Sequence, residues 1–143
     1  MQTTRATHSE KGAALLEAAV TIPLLLLIAV GIFEFGRAYQ TWQVLTNAAR
    51  EGARVAVIAG TTDAEVEVTV RRYMTIGSLS KATTAPVLLN RNVALGSSTG
   101  SQVTINYPFQ FMVINPVARL VVRSSTLGTP LTMSAVAVMR NES

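Results

Sequence analysis

A largely apolar run of 21 residues, at positions 13–33, constrains this chain more than any other feature. As an α-helix it spans about 31 Å, which matches the roughly 30 Å hydrocarbon core of a bilayer. Pro23 removes one intrahelical hydrogen bond, which membrane helices tolerate, and Glu17 places a carboxylate four residues inside the apolar boundary. The run predicts one transmembrane helix, with Glu34 and Arg37 marking its far edge.

Three interpretations of this segment compete. It could be a cleaved secretory signal peptide, with Arg5 and Lys11 as a short basic region and a poor small-x-small cleavage site at residues 29–31. It could be a plain single-pass anchor in which Glu17 reaches toward the lipid headgroups. The third interpretation is a pilin-type segment, and it depends on the residues immediately upstream of the apolar run.

The residues around Gly12 favour the pilin-type segment. A polar leader ends at Gly12, the apolar stretch begins at Ala13, and Glu17 is the fifth residue of that stretch. This pattern resembles a type IV prepilin processing site, although Ala18 stands where the Tad/Flp branch usually has an aromatic residue. The resemblance implies that a prepilin peptidase cuts between Gly12 and Ala13 and removes residues 1–12. It also implies that Glu17 of one subunit pairs with the new amine of Ala13 in a neighbouring subunit, which offsets the desolvation of both charges.

The helix is expected to continue past the membrane to about Ala59, because no proline interrupts it and Gly60 is a natural stop. Small residues recur on one face of this extension, where they would let another backbone approach closely. That face either packs on the chain's own domain or contacts a partner helix in an assembly. Its members are Ala48, Ala49, Gly52, Ala53 and Ala56.

Two sequence blocks then carry a family resemblance. The apolar helix is followed by GIFEFGRA at residues 31–38 and by LTNAAREGAR at residues 45–54. In order and spacing these blocks resemble the TadE-like family, whose members are minor pilin-like components of the Tad (Flp) pilus apparatus. The resemblance covers roughly residues 11–60 and implies a role in pilus assembly or initiation for adherence.

The same resemblance implies the partners and the location. The expected partners are a prepilin peptidase, other pilins or minor pilins, the inner-membrane assembly platform and the lipid bilayer. The chain would cross the bacterial inner membrane once and place its C-terminal domain outside the cytoplasm. The alternative is a single-pass anchor, unrelated to pili, that presents a small binding domain in the envelope.

Residues 61–143 predict a small extracytoplasmic α+β domain, so that the chain divides into a leader at 1–12, a helix at 13–60 and this domain. Thr62 and Glu65 form a capping box before a short amphipathic helix over residues 63–76, and Gly77 follows as its C′ residue. Apolar and polar residues then alternate in three segments, which predicts a small antiparallel sheet packed on the long helix. The stretch at residues 96–101 is expected to be a hairpin loop. Residues 109–127 are more apolar than a loop, as expected for core under the sheet, a partner surface or a segment resting on the membrane.

Residue usage argues against catalysis and against several binding functions. The chain has no cysteine, and its one histidine, His8, lies in the predicted leader. No catalytic residue, metal site, cofactor or small-molecule substrate is therefore expected, and the carboxylates of Asp63 and Glu67 are interpreted as a solvated helix face. The net charge of +4 comes from scattered basic residues without a lysine/arginine run, so no nucleic-acid partner is expected.

Overall fold

The computed structural model describes residues 6–116 and 129–141, and the side chains from Glu10 onward within that range. A long helix, a short helix and three strands follow one another along the chain: α1 (Ala6–Ala56), α2 (Asp63–Ile76), β1 (Val87–Leu95), β2 (Ser98–Phe109) and β3 (Leu131–Arg140). The strands form one antiparallel sheet in the order β1-β2-β3. The predicted α+β fold is confirmed.

Helix α1 differs from its expected bounds at both ends. It begins by Ala6, within the predicted leader, and continues through Pro23 without a break. It ends at Ala56 rather than at about Ala59 because Arg91 of β1 binds the chain there. The Arg91 guanidinium donates to the Ala56 carbonyl at 2.8 Å and to the Thr61 carbonyl at 2.8 Å, and so fixes the turn that leaves the helix.

Helix α2 begins where the capping box predicts. The hydroxyl of Thr62 accepts a hydrogen bond from the Glu65 amide at 3.3 Å, and the Glu65 carboxylate accepts one from the Thr62 amide at 2.8 Å. The bond from the Thr62 amide lowers the pKa of the Glu65 carboxyl from its ordinary 4.5, because it favours the ionised form. Both partners therefore hold the first turn of the helix.

Gly77 follows α2 as expected, but its backbone is not left-handed, with φ of −73°. Packing explains the glycine instead. A Cβ at this position would collide with the side chain of Val44 on α1, so the glycine lets the end of α2 lie directly against the long helix.

The sheet follows the predicted alternation along β2 and β3. On β2 the buried positions include Val103, Ile105, Tyr107 and Phe109, whereas the residues between them are partly exposed. The predicted six-residue loop at 96–101 is wrong, because only Gly96 and Ser97 separate β1 from β2. A two-residue hairpin needs positive φ in the turn, and Gly96 provides it with φ of +63°.

Helices α1 and α2 cover one face of the sheet and enclose the core. Each fully buried large side chain there is worth roughly 1.5–3 kcal/mol of hydrophobic stabilisation. The largest apolar side chains in this core are Leu45, Val66, Val70, Met74, Val103 and Ile105.

The small-residue face of α1 lies inside this domain, where all five of its members are buried: Ala48, Ala49, Gly52, Ala53 and Ala56. Gly52 marks the closest approach, because a Cβ there would collide with Val70 of α2 and touch Val103 of β2 at 3.4 Å. In this structure the face packs on the chain's own core, and it is not open to a partner helix.

We expect Gly52→Ala to destabilise the domain despite the higher helix propensity of alanine. The added methyl group must displace the branched side chain of Val70, and overpacking of this kind costs about 1–3 kcal/mol. Chemical denaturation of the detergent-solubilised chain, followed by the fluorescence of Trp42, measures the effect.

Gly36→Ala is the matched control on the same helix, since a Cβ at Gly36 meets nothing within 4 Å. This variant should leave the stability unchanged or raise it by up to about 1 kcal/mol. Equal responses of the two variants would contradict the packing assigned to Gly52.

Candidate functional site

The N-terminal half of α1 projects away from the folded domain. Within the described residues, the helix Glu10–Ala56 is long and apolar enough to cross a membrane, and none of its most apolar window is buried. The core helix of a soluble protein would bury such a window. Leucines along the segment are between about half and three-quarters exposed, from Leu15 at 72% to Leu24 at 56%. A side-chain surface of this kind fits a membrane anchor.

The predicted processing and pairing residues lie on this projecting segment. Gly12, Ala13 and Glu17 are all exposed, and a Cβ at Gly12 would meet nothing within 4 Å. Glu17 has no ion-pair partner among the described side chains. Ala13 and Glu17 are four residues apart on one helix and therefore lie on the same face, about 6 Å apart along the axis.

Glu34 follows directly after the predicted transmembrane segment, and its side chain is completely buried. One carboxylate oxygen accepts a hydrogen bond from Arg37 at 3.0 Å, and the other accepts a bond from the backbone amide of Val113. Val113 belongs to the chain that leaves β2, so this contact joins positions 79 residues apart in sequence. A carboxylate removed from water is costly unless it is paired and hydrogen-bonded, and here both of its oxygens have a donor.

Aromatic rings extend this contact. The Arg37 guanidinium lies 5.3 Å from the ring centroid of Phe109 and donates to the Gln110 carbonyl at 3.3 Å. The Phe109 and Phe111 rings pack edge-on with their centroids 5.2 Å apart. The Phe111 ring in turn packs edge-on against Phe35 of α1, with the centroids 6.3 Å apart. We call Glu34, Arg37, Phe109, Phe111 and Val113 the junction cluster, because they join the exit of the apolar helix to the sheet.

The sequence predicts only the helical part of the junction cluster. Glu34 and Arg37 were predicted to mark the membrane edge, and their i, i+3 spacing allows a pair. Nothing local in the sequence indicates that Glu34 is buried or that its partner is an amide in the β2–β3 connection. Of the predicted apolar stretch at 109–127, residues 117–127 lie outside the described part of the chain.

Two of the three acidic residues of α2 are engaged by an arginine, whereas Glu65 belongs to the capping box. Asp63 accepts from Arg91 at 2.7 Å, and Glu67 accepts from Arg71 at 2.5 Å. Among residues 6–116 and 129–141, no group of three or more histidine or carboxylate side chains is placed to hold a metal ion. Asp63 thus joins α2 to β1, whereas Glu67 pairs within α2 with Arg71, whose guanidinium also donates to the Ala82 carbonyl.

The projecting helix is the part of the chain that resembles a known protein family. Residues 12–54 match the family model described as TadE-like protein. Over these residues the N-terminal helix is similar to that family. That family is a pilus-associated structural family, and the match covers fewer than half of the 143 residues. Neither a curated protein nor a solved structure matches the chain at a significant level.

The TadE-like match covers a defined part of the structure. It begins at Gly12, includes Glu34 and Arg37, and ends two residues before the end of α1. Helix α2, the sheet and the Val113 side of the junction cluster lie outside it. The matched residues therefore comprise the apolar helix and the small-residue face as far as Ala53.

We expect Glu34→Ala to detach the β2–β3 connection from α1 and to destabilise the domain. The substitution leaves the Val113 amide without its acceptor and Arg37 without its counter-charge, which costs about 1–3 kcal/mol of unfolding free energy. Hydrogen exchange of residues 110–116, together with chemical denaturation, measures both effects.

Glu51→Ala provides a control with the same i, i+3 geometry. Glu51 pairs with Arg54 at 3.1 Å on the surface, where such a pair is worth about 0.3–0.5 kcal/mol. If Glu34→Ala and Glu51→Ala lost the same amount of stability, burial of the Glu34 carboxylate would have no energetic consequence, and the junction cluster would lose its assigned role.

Proposed function

We propose that this chain is a minor pilin-like subunit of a Tad/Flp-type pilus, processed by a prepilin peptidase and active in assembly or initiation of the pilus. The observation that carries the proposal is the exposed apolar helix, which combines the TadE-like match with a glycine at its polar boundary and a glutamate five residues further on. Among the described residues this helix has no packing partner along its apolar segment, and it needs either lipid or other subunits around it.

Processing is proposed between Gly12 and Ala13. The described helix runs through this bond, so a peptidase must unwind it locally before cleavage. Gly12 favours that unwinding, because a glycine lowers helix stability by about 1 kcal/mol relative to alanine. The position is also exposed and free of packing contacts, which leaves it accessible at the membrane edge.

Cleavage would then create the pair that orders the subunits. The new ammonium group of Ala13 and the Glu17 carboxylate are both costly at the edge of a bilayer, and each offsets the cost of the other when they meet. Within one helix the two groups are separated by about one turn. Pairing between neighbouring subunits would therefore fix their axial offset and keep both charges satisfied within the assembly.

The proposed location follows from the same helix. The mature subunit is held in the inner membrane by residues 13–33, with the α+β domain on the extracytoplasmic side. It remains there until other pilins and the assembly platform recruit it. The small-residue face is not needed for that contact, because it is already buried within the domain.

We expect co-expression with the cognate prepilin peptidase to shorten the chain by 12 residues and to leave Ala13 as its N-terminus. Intact-mass and N-terminal analysis of the membrane fraction measures this. Gly12→Val should block the cleavage, whereas Gly36→Ala, a substitution at an equally open helical glycine, should leave it unchanged. A stable full-length chain in the presence of active peptidase would contradict the proposal and favour an anchor unrelated to pili.

We expect Glu17→Ala to preserve cleavage and membrane insertion, since it removes a polar group from an apolar segment, but to impair assembly. The number of surface pili, cell adherence and the amount of subunit in sheared pili measure assembly. Glu17→Gln, which keeps the shape and removes the charge, should reproduce the defect. Glu10→Ala, within the removed leader, serves as the control. Unchanged piliation in both Glu17 variants would show that the proposed pairing with the Ala13 amine is wrong.

A further inference from the structure

The chain that leaves β2 carries exposed apolar side chains at the end of the domain nearest the apolar helix. Met112 is 61% exposed, Val113 36% and Ile114 37%. Leu131, which pairs with Phe109 at the start of β3, is 53% exposed at the same end of the sheet. A soluble domain gains nothing from this arrangement, and an apolar patch of this kind marks a contact surface.

The junction cluster fixes the position of this apolar patch along the axis of α1. The Val113 amide is hydrogen-bonded to Glu34, the first residue after the predicted transmembrane segment. Phe111 also contacts Phe35, one residue further along α1. If residues 13–33 fill the hydrocarbon core, the loop at 111–114 lies at the boundary between hydrocarbon and headgroups, within about one helical turn of it.

The surface around the loop fits a lipid interface. Phe33 and Phe35 are exposed on the helix beside it, so that apolar surface continues from the anchor onto the loop. Arg37 and Lys81 line the adjoining cleft between α1 and the β2–β3 connection. Apolar and aromatic side chains below basic side chains are the arrangement found where proteins meet the headgroup region.

We propose that residues 111–114 form a second membrane contact, inserting Met112 and its apolar neighbours into the leaflet from which α1 emerges. This proposal rests on the membrane anchoring assigned to α1 above. The loop then holds the domain down on the bilayer in one orientation, with the far ends of α1 and the sheet pointing away. Recruitment into an assembly would have to withdraw this loop from lipid.

The absence of cysteine from the chain allows a direct test with single-cysteine variants of the full chain in lipid vesicles. Met112→Cys reports on the loop. Ile58→Cys is the matched control, since Ile58 is 59% exposed and follows the end of α1 at Ala56, which lies about 33 Å from Glu34 along the helix axis. Ile28→Cys reports on the anchor itself. Each variant is labelled with an environment-sensitive fluorophore, and quenching by brominated lipids is measured.

The label at position 112 should be quenched several-fold more strongly than the label at 58, and less strongly than the label at 28. A charged, membrane-impermeant maleimide should likewise react several-fold more slowly with the Met112→Cys variant than with the Ile58→Cys variant, which excludes insertion driven by the fluorophore. Ile114→Cys, at the same loop, should repeat the result. Labels at 112 and 58 that behave alike while the label at 28 is quenched would overturn the loop contact alone. A label at 28 that is also unquenched would overturn both the anchor and the loop contact.

Discussion

The carboxylate of Glu34 is the interaction on which the arrangement of this molecule depends. It lies where an apolar helix, exposed on all sides, becomes the core helix of a folded domain. One oxygen accepts a hydrogen bond from Arg37 on the same helix, and the other accepts one from the Val113 amide in the chain that leaves β2. A buried carboxylate with two donors resists rearrangement, because losing either donor leaves a charged group uncompensated. The contact thereby sets where the anchor stops and the domain starts.

The same helix meets two different solvents, and its residue pattern changes accordingly. Before Glu34 its apolar side chains are exposed on every face, as lipid would require. Beyond Thr41 only one face is apolar and buried, and small residues dominate it from Ala48 to Ala56. Gly52 allows α2 and the sheet to approach the helix closely. One continuous element can in this way serve as both anchor and core, and a movement of the anchor is transmitted to the domain.

Local patterns predicted the elements well. The capping box at Thr62 and Glu65 gave the start of α2, and strict alternation gave the inward face of β2 and β3. These features depend on hydrogen bonds within one turn and on a period of two residues, both of which are readable from neighbouring positions. The C-terminal end of α1 was less predictable, because it depends on Arg91 of β1. This arginine stands at an otherwise apolar position of the strand and donates to the Ala56 and Thr61 carbonyls.

The proposed functional residues and the junction cluster differ in the same way in how far the sequence predicts them. Gly12 and Glu17 are visible in sequence because a glycine and a carboxylate are uncommon at the boundary of an apolar run. The burial of Glu34 is not visible, because its partner amide is 79 residues away and backbone amides carry no sequence signal. Gly77 was assigned to a helix terminus for its conformational freedom, whereas contact with Val44 explains it. Tertiary contacts thus explain Glu34 and Gly77.

The proposed anchor and the core helix of the domain are one uninterrupted helix, α1, across the expected membrane edge. The most direct test is a distance measurement by pulsed electron paramagnetic resonance between spin labels at Ile28→Cys and Arg50→Cys, in the full chain in nanodiscs. These positions are exposed and flank Glu34, and a continuous helix separates their backbones by about 33 Å. A single narrow distribution near this distance is expected. A broad distribution, or a mean clearly shorter than this, would show a hinge at the membrane edge and would contradict the account.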